Sequence, residues 1–229
     1  TVVDKDESRG SFTLIFQEAG YTTGLLGQLE EGDSLYSLVG PLGHPTEIKK
    51  YSKVFLVGGG VGIAEIYPVA RSFKKAGVPA VSIIGSRNKD LLILEKELKE
   101  ASDKLFVTTD DGSYSRKGFV TEVLKEALSS EVYDASSGLV YAVGPISMMR
   151  SVAKVTRDFN IKTYVSLNAL MVDATGMCGC CRVTVGGELK FSCVDGPDFD
   201  AHLVDWDELT KRNKIYETKE KHICNLNKL

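Results

Sequence analysis

The chain lacks several features that would point to whole classes of function. It has no apolar stretch of the roughly eighteen residues that a membrane-spanning helix needs, and no secretory signal. It also has no long basic run, and its net charge is −3 with both signs dispersed, which argues against nucleic acid as the main partner. These absences predict a soluble, cytoplasmic enzyme or enzyme subunit that binds neither membranes nor nucleic acid.

Histidine is scarce as well, and this bears on metal binding. Of three histidines, only His202 and His222 follow the main group of cysteines, and they do not form a closely spaced pair, which disfavours a zinc site. Five cysteines are an odd number and no secretory signal is present, so a disulfide framework is disfavoured too. A non-redox module with structural zinc remains an alternative.

What the chain does have is a compact group of metal-ligand candidates near its C-terminal end. Asp173, Cys178 and Cys181 are separated by four and then two residues, and Cys193 follows after residues 182–192. This spacing is that of a plant-type [2Fe-2S] centre with aspartate at the first position. Cys180 falls outside the spacing and is interpreted as a spare buried thiol. Thr175 or water remains an alternative oxygen ligand, with Asp173 capping the loop.

The middle of the chain alternates apolar strands with amphipathic helices. The pattern predicts strands at residues 54–57, 80–84, 105–108, 139–143 and 163–167, and helices at 64–76, 91–101, 120–127 and 145–158. Near-continuous apolar strands alternating with helices predict a five-stranded parallel sheet that is covered on both faces. Such a sheet binds ligands at the carboxyl ends of its strands.

Glycines mark two of these strand ends. The first strand is followed by Gly58, Gly59, Gly60 and Gly62, and the fourth by Gly144 and Pro145. A glycine loop between a strand and a helix lets the backbone approach a pyrophosphate at the helix N-terminus. The usual dinucleotide fingerprint is not met, because Ile63 stands where a small residue is required. A plain tight turn is the alternative.

Together, these motifs resemble a known family. The run from Gly58 to Ala64 and the run from Val143 to Met149 are similar to the nicotinamide half of the ferredoxin reductase superfamily. With the cluster segment behind them, they resemble iron-sulfur flavoprotein subunits related to the electron-transfer subunit of dihydroorotate dehydrogenase. The nearest branch is the small subunits of NADH-dependent reduced ferredoxin:NADP oxidoreductases, in which aspartate replaces the first cluster cysteine, as at Asp173.

The resemblance implies a fold in three parts. Residues 1–45 would be the C-terminal part of an FAD-binding β-barrel, 51–167 the NAD(P)-binding domain, and 168–229 the [2Fe-2S] module with its tail. Residues 11–16 and 34–39 are predicted strands on either side of a turn at Gly32 and Asp33. Because 45 residues cannot close a six-stranded barrel, we expect the N-terminal part of that barrel to be missing from this chain.

The resemblance also implies the function and its sites. Electrons would pass between NAD(H), FAD and the cluster to a larger flavin and iron-sulfur subunit, and to ferredoxin through that complex. Alternatives are the dihydroorotate dehydrogenase subunit itself and a stand-alone NAD(P)H-ferredoxin reductase. No catalytic acid or base is assigned. The predicted cofactor-binding residues are Thr1, Gly20, Thr22 and Thr23 for FAD, and Met148 with the two glycine runs for the nicotinamide nucleotide.

Two further strand ends carry predicted nucleotide contacts. Arg87 follows the second strand, where no acidic residue stands, and by charge alone it favours the 2′-phosphate of NADP. The resemblance favours NAD, and an arginine can equally stack on adenine or meet the pyrophosphate. Asp110 and Asp111 follow the third strand and are predicted to lie beside the nicotinamide and ribose. A solvated acidic turn is the alternative for these two residues.

Overall fold

The computed structural model describes residues 1–227, so Lys228 and Leu229 of the predicted C-terminal module lie outside the described residues. Eleven strands are present in this part of the chain. They are β1 Val2–Asp6, β2 Ser11–Leu14, β3 Val54–Gly59, β4 Ala80–Ser86, β5 Lys104–Thr109, β6 Arg116–Lys117, β7 Leu139–Val143, β8 Lys162–Ser166, β9 Arg182–Val185, β10 Glu188–Phe191 and β11 Asp198–Asp200.

The central sheet has seven strands in the order β11-β8-β7-β3-β4-β5-β6. The five predicted strands are β3, β4, β5, β7 and β8, and they are all parallel. The predicted strand number of five was wrong, because two short strands extend the edges. The two-residue β6 pairs parallel with β5, and β11 pairs antiparallel with β8. Strands this short and polar have no hydrophobic pattern that a sequence could show.

Seven α-helices accompany these strands within residues 1–227. They are α1 Tyr21–Gly27, α2 Ile63–Lys75, α3 Glu95–Ala101, α4 Val120–Ser130, α5 Ile146–Asp158, α6 Trp206–Asn213 and α7 Glu217–Asn227. Apolar residues of α2 and α3 pack in one core, and those of α4 and α5 pack in the other, so helices cover both faces of the sheet. No helix among the described residues is both long and apolar enough to span a bilayer.

The predicted helix at residues 91–101 is shorter in the structure. A 3₁₀ turn occupies Lys89–Leu91, and α3 begins at Glu95 after Leu94, whose φ of 55° is left-handed. Leu92, Ile93 and Leu94 nevertheless pack against the core. Their apolar spacing was compatible with a helix, but a non-helical segment partly buries the same side chains.

The N-terminal segment forms a small hairpin. β1 and β2 pair antiparallel, and β2 confirms the predicted strand at residues 11–16 over its first four positions. The predicted strand at residues 34–39 was wrong, since no strand is present there and Leu35, Tyr36, Leu38 and Val39 are exposed. An alternating pattern becomes a strand only when it finds a partner strand, and the described residues supply none for this segment. The predicted barrel is not seen within residues 1–45.

The C-terminal segment shares a core with the sheet. β9 and β10 form an antiparallel hairpin whose turn is Gly186 and Gly187, both with positive φ. Such a turn is typical of two-residue hairpins. Val183, Cys181 and Cys193 belong to the same buried cluster as the α4 and α5 side chains. The cysteine-bearing segment is therefore packed directly onto the α/β part of the chain.

Candidate functional site

A large cavity of about 940 Å³ opens at the carboxyl ends of the parallel strands. This is the place where an open α/β sheet binds ligands, and the volume suits a dinucleotide-sized molecule. Many of the residues predicted to bind cofactors contribute to its wall. The predicted residues that line the cavity are Thr1, Gly59, Gly60, Gly62, Arg87, Asp110, Gly144, Pro145 and Met148.

Two glycines in the wall are required by close packing. A Cβ atom at Gly62 would lie 2.6 Å from the carbonyl carbon of Val143, at the end of the neighbouring strand β7. Backbone cannot give way there, so only glycine allows α2 to begin this close to β7. Gly60 has a φ of 56° and open space beyond its Cα. A ligand can therefore approach the Gly60 backbone closely.

The ends of β4 and β5 contribute charged groups to the cavity. Arg87 follows β4 with an exposed side chain, and Asp110 follows β5. Asp111 lies outside the lining of the cavity. Its carboxylate accepts a 2.9 Å hydrogen bond from the Ser113 N–H, and hydrogen bonds from Ser113 lower its pKa. Asp111 thus forms the solvated turn that was the alternative interpretation.

Other predicted residues also lie away from the cavity. Gly58 is buried inside β3, and Gly20, Thr22 and Thr23 lie at the start of α1. The Thr23 hydroxyl accepts the N–H groups of Ala19 and Gly20, at 3.0 and 3.1 Å. The Tyr21 N–H is bonded to the Glu220 carboxylate at 3.2 Å. In this structure the threonine acts as a helix cap.

Several lining residues were missed by the sequence analysis. They come from the segment after β2, from α2, from the position before α4 and from the segment after β8, and include Phe16, Gln17, Glu65, Phe119 and Asn168. Only Phe119 carried a signal that could have revealed it, because it is an aromatic residue directly before the helix predicted at residues 120–127. The others become neighbours only through the fold.

The predicted metal ligands lie in two pairs. The Sγ atoms of Cys181 and Cys193 are 3.2 Å apart and both residues are buried. Burial and the neighbouring Cys181 thiol raise the pKa of Cys193. Cys178 is exposed, and its Sγ accepts the Cys180 N–H at 3.4 Å. Hydrogen bonds to ligand sulfurs are one of the factors that set cluster potentials.

Asp173 forms the second pair with Cys178. Its two carboxylate oxygens accept the Thr175 N–H at 2.9 Å and the Cys178 N–H at 3.1 Å. These backbone donors, Thr175 first, lower the pKa of Asp173, so the exposed carboxylate is ionised at neutral pH. It caps the loop, as the alternative interpretation had it, and each oxygen retains a lone pair for a metal.

The donor set suits a dinuclear cluster better than a single ion. Within residues 1–227, no three His, Cys, Asp or Glu side chains converge as ligands of one metal ion. Two separate pairs can instead each bind one of two bridged irons. Three thiolates with one carboxylate fit the ligand chemistry of an iron-sulfur cluster with one changed position.

Comparisons with known proteins identify the domains to which these two regions belong. Residues 56–154 match the model of the oxidoreductase NAD-binding domain, and residues 168–205 match that of the iron-sulfur cluster binding domain of dihydroorotate dehydrogenase B. A Thermotoga maritima protein described as a dihydroorotate dehydrogenase B (NAD(+)) electron transfer subunit homolog is 48% identical, over 96% of this chain and 77% of its own length.

This relationship decides the family. The chain belongs to the dihydroorotate dehydrogenase B electron transfer subunit family. A Methanopyrus kandleri protein described as a probable electron transfer subunit of this kind is 36% identical, over 82% of this chain and 68% of its own length. A solved structure described as NADH-dependent reduced ferredoxin-NADP oxidoreductase is 44% identical with a TM-score of 0.89, over 96% of this chain and 78% of that one.

Membership of this family establishes the general activity of the chain. It is an oxidoreductase subunit that transfers electrons, with an NAD-binding domain and an iron-sulfur cluster domain. An electron transfer subunit works with a partner that accepts or supplies the electrons. The sequence prediction of an electron-transfer subunit of this family is confirmed.

Proposed function

We propose that this subunit transfers electrons between NAD(H), FAD and a [2Fe-2S] cluster, and exchanges them with a larger flavin and iron-sulfur subunit that serves ferredoxin. The observation that carries the proposal is the composition of the cavity wall. Thr1 and Phe16 of the N-terminal segment, the glycine loop after β3 and Asn168 of the cluster segment line one continuous space. Nucleotide, flavin and cluster sites would therefore adjoin.

The nucleotide would be held by the glycine loop and the ends of β4, β5 and β7. The backbone at Gly60 and Gly62 leads into α2, whose N-terminus favours the pyrophosphate. Arg87 adds positive charge, and Asp110 lies at the end of the neighbouring strand β5, where it would contact a ribose or carboxamide. We favour NAD over NADP.

The flavin would meet the N-terminal segment, with Thr1 at the cavity wall and Gly20, Thr22 and Thr23 on α1. When bound, FAD accepts an electron pair as hydride from NADH and delivers single electrons, as a cluster requires. The residues of the chain position the two groups and exclude water from the cavity. No side chain needs to act as acid or base in the hydride transfer.

The cluster would be bound by Asp173 and Cys178 on one side and by Cys181 and Cys193 on the other. The second pair is buried and the first is exposed. One end of the cluster would therefore lie near the surface of this subunit, where a partner can receive electrons. Cys180 is not a ligand in this arrangement. Its backbone carbonyl oxygen accepts a hydrogen bond from Arg212 Nη2 at 2.9 Å.

Anaerobic purification from the native source tests the proposal. We expect a larger flavin and iron-sulfur subunit to co-elute, and the complex to reduce NADP with NADH and reduced ferredoxin together. Bleaching of the visible spectrum by NADH would report flavin and cluster reduction. Reduction by dihydroorotate would favour the dihydroorotate dehydrogenase subunit, and absence of a stable complex would favour a stand-alone reductase.

A further inference from the structure

A buried tyrosine hydroxyl joins two carboxyl groups next to the cavity. Tyr141 lies in the central strand β7 with no exposed surface. Its hydroxyl is 2.9 Å from Asp198 Oδ1 and 3.3 Å from Glu65 Oε1, and the Thr46 hydroxyl lies 3.4 Å away. These groups come from β7, β11, α2 and the segment before β3, so the contact exists only in the folded chain.

Hydrogen bonds from Tyr141 to both acids at once require one proton more than these side chains carry when both acids are ionised. A phenol has a single proton and can donate it to only one carboxylate. We assign the phenol proton to the hydrogen bond with Asp198, because the Tyr141 hydroxyl lies closer to Asp198 than to Glu65. The Glu65 contact is then favourable only if the Glu65 carboxyl group carries a proton and donates it to the phenol oxygen. Two ionised carboxylates around one hydroxyl would leave an unmade bond and a like-charge repulsion.

The surroundings favour the neutral acid. Among residues 1–227, neither Glu65 nor Asp198 forms an ion pair. Burial raises the pKa of Glu65, as does the charge of Asp198, while the Ser166 and Tyr141 hydroxyls oppose this. Burial also raises the pKa of Asp198, and that of Tyr141 is raised well above its usual value.

We propose that Glu65 and Asp198, joined through the Tyr141 hydroxyl, form a proton-binding site in the cavity wall, and that nucleotide binding is coupled to proton uptake at this site. The inference rests on the proposed function in one respect, because it requires the nucleotide to occupy the cavity that Glu65 lines. It adds a titratable site that the hydride transfer itself does not need.

The coupling follows from charge and solvation. A bound nucleotide brings the negative charge of its pyrophosphate into the cavity and displaces water from the wall. Both changes disfavour an ionised Glu65, so the protonated form binds the nucleotide more tightly. By linkage, affinity is highest at low pH and falls as pH rises through the range in which the free site loses its proton.

Calorimetric titration of the cofactor-loaded protein with NAD⁺ between pH 6 and 9 tests this. NAD⁺ is suitable because its phosphates do not titrate in this range. At each pH, the binding enthalpy is measured in buffers of different ionisation enthalpy, and the slope gives the protons taken up. We expect uptake that approaches about one proton per nucleotide at some pH and declines on either side.

Variants assign the proton. Glu65→Gln keeps a neutral group of the same size and should abolish the uptake and the pH dependence of affinity. Asp198→Asn should move the uptake to lower pH, because the charge that disfavours ionised Glu65 is gone. Asp90→Asn removes another carboxylate of the cavity wall and should leave the proton count unchanged.

The two proposals fail in different ways. NAD⁺ binding with no proton uptake at any pH, or uptake that persists in Glu65→Gln, would overturn the inference and leave the proposed function intact. Failure of the wild-type protein to bind any nicotinamide nucleotide would overturn both.

Discussion

At the scale of single residues, Asp173 is the proposed ligand that would distinguish this cluster from one held by four cysteines. Its carboxylate is fixed by two backbone N–H groups and faces Cys178. A carboxylate is a harder ligand than a thiolate and donates less electron density to iron. We therefore expect the cluster to differ electronically from one with four cysteines.

Substitution of Asp173 tests its role as a ligand. Asp173→Cys should retain the cluster, shift its potential by on the order of 100 mV and bring its spectrum toward that of an all-cysteine centre, since ligand type tunes the potential. Redox titration monitored by EPR and absorbance measures both. Cys178→Ala, Cys181→Ala and Cys193→Ala should lose the cluster, and Cys180→Ala is the matched control that keeps it. An unchanged potential and spectrum in Asp173→Ala would show that the carboxylate only caps the loop.

Arg87 is the residue that bears on nucleotide choice. It lines the cavity at the end of β4, where its charge would act on a bound nucleotide. We expect NADH to bind more tightly than NADPH, and Arg87→Ala to weaken NADH binding about tenfold, which corresponds to ~1.4 kcal/mol. Fluorescence titration measures this. Lys89→Ala is the control and should have little effect on binding, because the Lys89 ammonium lies over the Tyr114 ring, 5.4 Å from its centroid. Tighter NADPH binding that depends on Arg87 would reverse the choice.

The two aspartates after β5 form a matched pair. Asp110 lines the cavity, whereas Asp111 is bonded within its own turn. Asp110→Ala should weaken NADH binding several-fold through a lost hydrogen bond of about 1 kcal/mol, and Asp111→Ala should leave it nearly unchanged. Titration of both variants with NADH gives the comparison. Equal affinities in the two variants would remove Asp110 from the nucleotide site.

At the scale of elements, the junction of β3, α2 and β7 fixes the geometry of the glycine loop. Gly62 allows α2 to begin against the Val143 carbonyl group. Gly62→Ala should destabilise the protein by about 1–3 kcal/mol, because the added methyl group must displace backbone. Urea unfolding measures the change. Val61→Ala, with its exposed side chain, should cost within about 0.5 kcal/mol. Equal stabilities of the two variants would show that the loop can relax around the methyl group.

At the scale of the whole molecule, the cluster segment and the α/β part unfold together if their shared core governs stability. Cys181 and Cys193 are buried in the core that also contains α4 and α5 side chains. We expect removal of iron by an anaerobic chelator to lower the midpoint of a single thermal transition by about 5 °C or more, since binding energy at a folded site adds to stability. Circular dichroism follows this. Two separate transitions, with the second unaffected by iron, would contradict a common core.

Local pattern alone determined the main elements and the chemistry of the candidate site. The five long parallel strands follow from apolar runs that are buried on both faces, and the glycine loop follows from the residues between β3 and α2. The Asp173, Cys178, Cys181 and Cys193 spacing also needs no fold to be recognised. Each of these signals lies within a short stretch of chain, where propensity and ligand chemistry act directly.

Tertiary structure decided what depends on contacts between distant residues. It added β6 and β11 by edge pairing, left residues 34–39 without a partner strand, and delayed the start of the helix predicted at 91–101 to Glu95. It placed Asp110 in the cavity and Asp111 outside. It also brought Glu65, Tyr141 and Asp198 together. The proposed proton-binding site cannot be predicted from the sequence, because its three residues lie far apart along the chain. Only burial by the completed sheet makes an ionised carboxylate unfavourable there.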